Sequence, residues 1–264
     1  MIKVNGVIIK QEQFPDNTHN VKIDSIGDIT WCYDQDSEIF LLYSIVQHMR
    51  EKSPTTRITL TMPYIPNARF DRTQNLDEVF TLKYFAKIIN SLHFDKVCVL
   101  NPHSNVSTAL LDRVEVFPTY ATEIVREHKD ALLFFPDEGA RKRYSDLFGQ
   151  PYATGMKKRN WRDGRITSYE VIEGKESIAN RDILIIDDIC SYGGTFYYAA
   201  EKLKKLGARN IYLYVDHLEN AVTKGKLWQE KPIAHIYTTD SIFTANREDY
   251  VTFVQTFRVD NRKD

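Results

Sequence analysis

Cysteine is scarce in this 264-residue chain: Cys32, Cys98 and Cys190 are its only three. They lie far apart with no CxxC pair, so neither a disulfide framework nor a zinc ribbon is indicated, and reduced thiols in a cytoplasmic protein are the expectation. An excess of charge of one sign is also missing. Thirty-five Lys and Arg face 36 Asp and Glu, which removes the bulk attraction that drives general binding to nucleic acid or to an anionic membrane. No apolar run is long enough to span a bilayer, and the opening MIKVNGVIIKQEQ alternates apolar and polar residues, unlike a signal peptide. Low-complexity linkers and short-period repeats are lacking too. With 42% hydrophobic and 12% aromatic residues, the composition excludes disorder and collagen-like structure and fits a globular protein of one large or two modest domains.

Short β-branched and aromatic runs recur at residues 57–62, 96–100, 131–135, 182–188 and 210–216, each reading as a buried or half-buried strand. Helical patterns separate them. From Glu38 to Arg50, Ile39, Leu42, Tyr43, Val46 and Met49 share a face, and from Asp77 to Leu92, Val79, Leu82, Phe85, Ala86 and Ile89 do so. This alternation predicts an α/β fold with mainly parallel sheets, whose ligands bind beyond the carboxyl ends of the strands. Two lobes, residues 1–126 and 127–264, are expected from the element count.

The most informative stretch runs from Arg181 to Ala208: an apolar strand, the acids Asp187 and Asp188, the small-residue loop Ser191, Tyr192, Gly193, Gly194 and Thr195, then an amphipathic helix. Paired carboxylates accept hydrogen bonds from vicinal hydroxyls, and loop N–H groups at a helix N-terminus converge on phosphate. Glycines permit close approach. The combination suits a ribose 5-phosphate moiety; the plainer alternative is an Asp-capped strand-to-helix turn.

Other segments are less specific by themselves. Arg69, Asp71 and Arg72 follow a predicted strand, and their guanidinium forks suit a polyphosphate as well as a surface salt-bridge loop. His103 follows the strand ending near Leu100, and Asp137 and Gly139 follow the strand ending at Phe135, where Asp137 suits a metal or ribose contact. Between Arg141 and Arg165 eight Lys or Arg face two Asp, a focused anion site or a solvated basic hairpin. Near the N-terminus, Phe14 suits stacking on a base and Asp16 accepts hydrogen bonds, although a plain turn explains them equally.

The 181–208 segment resembles the PRPP-binding motif shared by type I phosphoribosyltransferases and phosphoribosyl pyrophosphate (PRPP) synthetases. TMPYIPNARFDR (61–72), the NPHS loop (101–104), PDEG (136–139), GMKKRNWRDGRI (155–166) and EQFPDN (12–17) are similar, in order, to synthetase segments. The chain departs from that pattern at Thr18, Phe70, Asn101 and Ser191. The resemblance implies two phosphoribosyltransferase-like lobes with the active site between them and a ribose-phosphate pyrophosphokinase using ATP, ribose 5-phosphate and Mg²⁺. It implies that Lys157 or Lys158 with Arg159 stabilises the transition state, that Asp187, Asp188 and residues 191–195 hold the sugar phosphate, and that Phe14, Asp16, Arg69, Asp71, Arg72 and His103 meet ATP. His103 and Asp137 become the expected metal contacts, and a homo-oligomer with shared sites is implied. A transferase consuming PRPP, or a silent PRPP-binding regulator, remains the alternative.

Overall fold

A computed structural model describes residues 1–73, 75–159, 166–174 and 178–258. The chain divides into two compact units, residues 1–118 with the tail from Phe257, and residues 119–256. The division falls before the expected boundary at Arg126. Helix α4 (Ala121–Glu127) buries Ala121, Ile124 and Val125 in a core shared with strands of the second unit, and so belongs with it. Phe257 and Arg258 return to the first unit: the Lys3 ammonium donates to the Phe257 carbonyl at 2.5 Å, and Arg258 meets the Asp34 carboxylate at 2.9 Å.

In the first unit, β1 (Ile2–Val4), β2 (Val7–Ile8), β5 (Ile29–Trp31), β6 (Thr59–Thr61), β7 (Lys96–Leu100) and β8 (Val114–Phe117) form a sheet of order β2-β1-β5-β6-β7-β8. Strands β5 to β8 run parallel, while β1 pairs antiparallel with both neighbours. A separate antiparallel ribbon joins β3 (Lys10–Gln13) to β4 (His19–Lys22). Helices α1 (Ser37–Lys52), α2 (Thr81–Ser91) and α3 (Asn105–Leu110) complete the unit. Helix α1 carries Glu38 in its first turn and Arg50 and Lys52 in its last, which complements its dipole. Its buried face is Leu41, Leu42, Ile45, Val46 and Met49, turned slightly from the expected one, so Tyr43 is 46% exposed. Helix α2 begins at Thr81 rather than Asp77, because the Asn75 side chain donates to Glu78 and closes a turn that competes with the helix. Val79 is therefore exposed, whereas Leu82, Phe85, Ala86 and Ile89 are buried as expected.

In the second unit, β9 (Leu132–Phe135), β10 (Tyr152–Arg159), β11 (Ile166–Glu173), β12 (Ile183–Cys190), β13 (Ile211–Leu218), β14 (His235–Thr239) and β15 (Val251–Gln255) form a sheet of order β11-β10-β9-β12-β13-β14-β15. All pairings are parallel except the β10–β11 hairpin. Both faces are covered, which explains the nearly continuous apolar strands. One face buries Phe196, Ala199 and Leu203 of α6 (Gly194–Lys205) and Leu227 and Trp228 of α7 (Lys226–Glu230). The other buries α4 together with Ala140 and Tyr144 of α5 (Glu138–Tyr144). The fold is thus α/β in two lobes, each a mainly parallel sheet flanked by helices. Among the described residues no helix is long and apolar enough to cross a membrane.

Candidate active site

The strongest sequence signal maps to the carboxyl edge of the second sheet. Strand β12 runs past Asp187 and Asp188 to Cys190, because its parallel ladder with β13 continues through Ile189 opposite His217 and Cys190 opposite Leu218. The acids therefore lie inside the last turn of ladder, not at the strand tip as expected. Alternation along the strand sends the two side chains to opposite faces. Asp188 is 5% exposed, and its backbone N–H donates to the Asp187 carboxylate at 2.9 Å. Burial, reinforced by the negative charges of Asp188 and Asp137, pushes the Asp187 carboxyl well above the ordinary carboxylate range.

Residues 191–193 connect β12 to α6, and the glycines here have distinct jobs. Gly193 has φ +78°, and a Cβ on it would sit 2.6 Å from Leu227 Cδ2. Packing and backbone both demand glycine there. A Cβ on Gly194, the first residue of α6, would meet nothing within 4 Å. That open side adjoins the N-terminal end of a 12-residue helix whose first turn has no side-chain cap, with Lys202, Lys204 and Lys205 in its last turn. Uncapped N–H groups at the positive end of a helix make a phosphate site. Ser191 and Thr195 are half-buried beside it and Tyr192 is 61% exposed.

Helix α5 begins at the end of β9, and Asp137 caps it by accepting from the Ala140 N–H at 3.0 Å. The other carboxylate oxygen of Asp137 meets the Lys157 ammonium at 2.6 Å. Burial would raise this carboxyl, but the hydrogen bond and charge of Lys157 and the backbone N–H groups outweigh it and hold it below its usual value. Lys157 thus stands beside the acids, while Lys158, its neighbour on β10, faces the opposite side and is exposed. Arg159 ends β10; its side chain and residues 160–165, with Arg162 and Arg165, lie outside the described residues.

In the first unit, Phe14 and Asp16 lie in the turn at the tip of the β3–β4 ribbon, Phe14 being 50% exposed. Asp16 accepts from the Thr18 hydroxyl at 2.7 Å and the Thr18 N–H at 3.0 Å, which lowers its carboxyl below the usual value. Thr18 therefore shapes the turn. Arg69 and Arg72 are exposed and Asp71 half-buried on the loop after β6, anchored by buried Ile65 and Ala68. His103 is half-buried on the segment between β7 and α3, after Asn101 turns the chain at φ +33°. Among the described residues no cluster of three or more His, Cys, Asp or Glu stands ready for a metal ion.

Three features were not singled out from sequence. Arg143 reaches the Asp188 carboxylate at 3.4 Å from the last turn of α5; its place in the basic stretch hid that specific partner. Gly225 lets the 191–193 loop close, since a Cβ on it would lie 1.9 Å from the Tyr192 carbonyl. Asp216, fully buried, accepts from the Tyr214 hydroxyl at 2.6 Å and the Thr119 hydroxyl at 2.9 Å. Only an acid in an otherwise apolar strand signalled it.

Comparison with known proteins finds similar chains. A ribose-phosphate pyrophosphokinase of Thermococcus kodakarensis is 28% identical over 221 residues, 79% of this chain and 77% of that protein. One from Saccharolobus solfataricus is 24% identical over 96% of this chain and 90% of its own length. The chain is thus similar to ribose-phosphate pyrophosphokinases over most of its length. A ribose-phosphate pyrophosphokinase from Buchnera aphidicola is 30% identical over 70% of this chain, which spans 61% of that protein. The fold of a phosphoribosylpyrophosphate synthetase from Mycobacterium smegmatis superposes with a TM-score of 0.75 at 18% identity, covering 95% of this chain and 86% of that one. No protein-family profile matches the chain.

Proposed function

We propose that this chain is a ribose-phosphate pyrophosphokinase: ATP gives its β,γ-pyrophosphoryl group to the anomeric hydroxyl of ribose 5-phosphate, yielding PRPP and AMP. The observation that carries the assignment is β12 running with two acids into a loop whose Gly194 opens onto the uncapped N-terminus of α6. In the transfer the anomeric oxygen attacks the β-phosphorus, the bond from that phosphorus to the bridging oxygen of AMP breaks, and the hydroxyl proton is released. Such a step needs positioning and neutralisation of phosphate charge.

The 5-phosphate sits on the N–H groups of residues 191–195, and Asp187 and Asp188 accept hydrogen bonds from the ribose hydroxyls. Lys157 is the lysine that meets the phosphates, because its ammonium already stands on the acid side of β10, whereas Lys158 points away. Arg159, the next residue of β10, is assigned the same task. Phe14, Asp16, Arg69, Asp71, Arg72 and His103 are assigned to ATP.

Mg²⁺ accompanies the triphosphate, and the Asp137 carboxylate suits it: an oxygen donor whose place for a cation is now taken by the Lys157 ammonium. When bound, the ion neutralises phosphate charge and orients the chain of phosphates. A cytoplasmic homo-oligomer with shared sites remains the accompanying expectation. The test is product formation by purified protein from ribose 5-phosphate, ATP and Mg²⁺, each omitted in turn. AMP and PRPP together, in the complete mixture alone, support the assignment; pyrophosphate release from PRPP and a free base, without ATP, replaces it with a transferase.

A further inference from the structure

Behind the acid pair lies a second buried carboxylate to which the proposed reaction gives no task. Asp216 is on β13, and the β12–β13 register, Asp187 opposite Val215 and Ile189 opposite His217, sets Asp216 directly beside Asp188. Neighbouring strands are about 4.8 Å apart, and both residues fall on the face of the sheet that also carries Leu184, Ile186 and Tyr214. Like charges opposite one another across strands are unfavourable, so this pairing calls for an explanation. Packing alone would be satisfied by an apolar residue.

The surroundings of Asp216 are closed and polar. Its carboxylate oxygens accept from Tyr214 and Thr119, and its backbone carbonyl accepts from the Thr239 hydroxyl at 2.6 Å. Thr119 in turn accepts from the Ala121 N–H at 3.1 Å, at the start of α4. The titratable and charged groups around the Asp216–Asp188 pair are Tyr214 on β13, Arg143 and Tyr144 on α5 and Tyr120 before α4, with Asp187 adjoining Asp188 from the opposite face of β12. Tyr144 is fully buried, and burial followed by the charges of Asp216, Asp188 and Asp187 raises its hydroxyl far above the ordinary range. One buried ring therefore stands within the field of all three acids.

We propose that Asp216 is a positioning residue of the ribose-phosphate site, acting through its neighbour Asp188: its buried negative charge, fixed by two hydroxyls, sets how Asp188 is shared between Arg143 and the sugar. The inference rests on the assignment of Asp188 to the sugar. With Asp216 charged, the acid pair holds its last proton more tightly, and ribose 5-phosphate has to displace it. Removing the charge while keeping the shape makes the pair ionise more readily.

The experiment compares wild type with Asp216→Asn and Tyr214→Phe in pH profiles of kcat/KM for ribose 5-phosphate at saturating MgATP, with binding of ribose 5-phosphate measured calorimetrically over the same pH range. The Asp216→Asn profile is expected to shift its acid limb downward by about one pH unit or more, while Tyr214→Phe, which keeps the charge, leaves the limb at or above the wild-type position. Should Asp216→Asn not fold, Asp216→Thr supplies the same loss of charge with a hydroxyl in place. A normal acid limb in the folded neutral variant, whatever happens to kcat, overturns the inference and leaves Asp216 a structural residue. Wild-type protein that binds ribose 5-phosphate but forms no PRPP fails the functional assignment instead, and the calorimetric pH profile then still decides the role of Asp216.

Discussion

Two adjacent glycines make separable demands at the start of α6, and replacing each by alanine tests them. At position 193 the left-handed backbone, φ +78°, costs an L-residue about 1–2 kcal/mol. The new methyl would also press on Leu227 Cβ and Cδ2 at 2.7 and 2.6 Å, and overpacking of a closed core adds about 1–3 kcal/mol. Gly193→Ala should thus lose roughly 2–5 kcal/mol of stability in the second unit. Gly194→Ala should gain up to about 1 kcal/mol, since its backbone is helical, its Cβ is unopposed and alanine is the better helix former. Function should order the other way. The methyl at 194 projects into the space assigned to the 5-phosphate and should raise KM for ribose 5-phosphate tenfold or more, equivalent to about 1.4 kcal/mol. Chemical denaturation followed by circular dichroism, with steady-state kinetics on the same preparations, reads both effects. A Gly193→Ala protein as stable as wild type would refute the packing argument. An unchanged KM in Gly194→Ala would refute the phosphate placement.

Other outcomes follow from the same geometry. Lys157→Met should lower kcat by about 100-fold or more, the loss typical of removing one donor to a transition-state anion, and Lys158→Met far less; equal losses in single-turnover assays would reverse the choice between them. Gly225→Ala, by driving a methyl into the Tyr192 carbonyl, should weaken ribose 5-phosphate binding measured by calorimetry without touching any ligand; unchanged affinity would detach the loop from the site. Asp182, held down to about 2 by the bidentate Arg209 guanidinium and Asn210, has a depressed carboxyl. Its contribution is complete above the unfolded value of about 3.9 and disappears as the pH falls through about 2. With Arg209 64% exposed, solvent screening limits that contribution to about 1 kcal/mol. Denaturation of Asp182→Asn at pH 7 and near pH 2 should show the difference from wild type at the higher pH only.

Much of the fold was legible because parallel, doubly covered strands leave apolar runs. Residues 96–100 were bounded as β7 appears, and 131–135, 182–188 and 210–216 each lie within two residues of β9, β12 and β13. Less legible were boundaries set by tertiary pairing or side-chain competition. The ladder carries β12 beyond its acids to Cys190, and Asn75 with Glu78 delays α2. In the site, the acids, the glycines and the basic hairpin were visible because each is an uncommon residue type at its position. What local sequence did not reveal was partnership. The Lys157–Asp137 pair, Arg143 on Asp188, and Asp216 held by Thr119 join residues separated by 20 to 97 positions, which only the fold of the second unit brings together. Alternation along β10 separates Lys157 from Lys158, which local sequence left equivalent.

The central claim is that the pyrophosphoryl group moves as a unit from ATP to the anomeric oxygen. ATP labelled at its β-phosphate, incubated with ribose 5-phosphate, Mg²⁺ and the purified protein, tests it most directly. Label appearing in PRPP, with unlabelled AMP formed in equal amount, is the predicted result. Label retained in ADP would mean transfer of the γ-phosphate alone, and label remaining in ATP would mean no transfer; each would contradict the account.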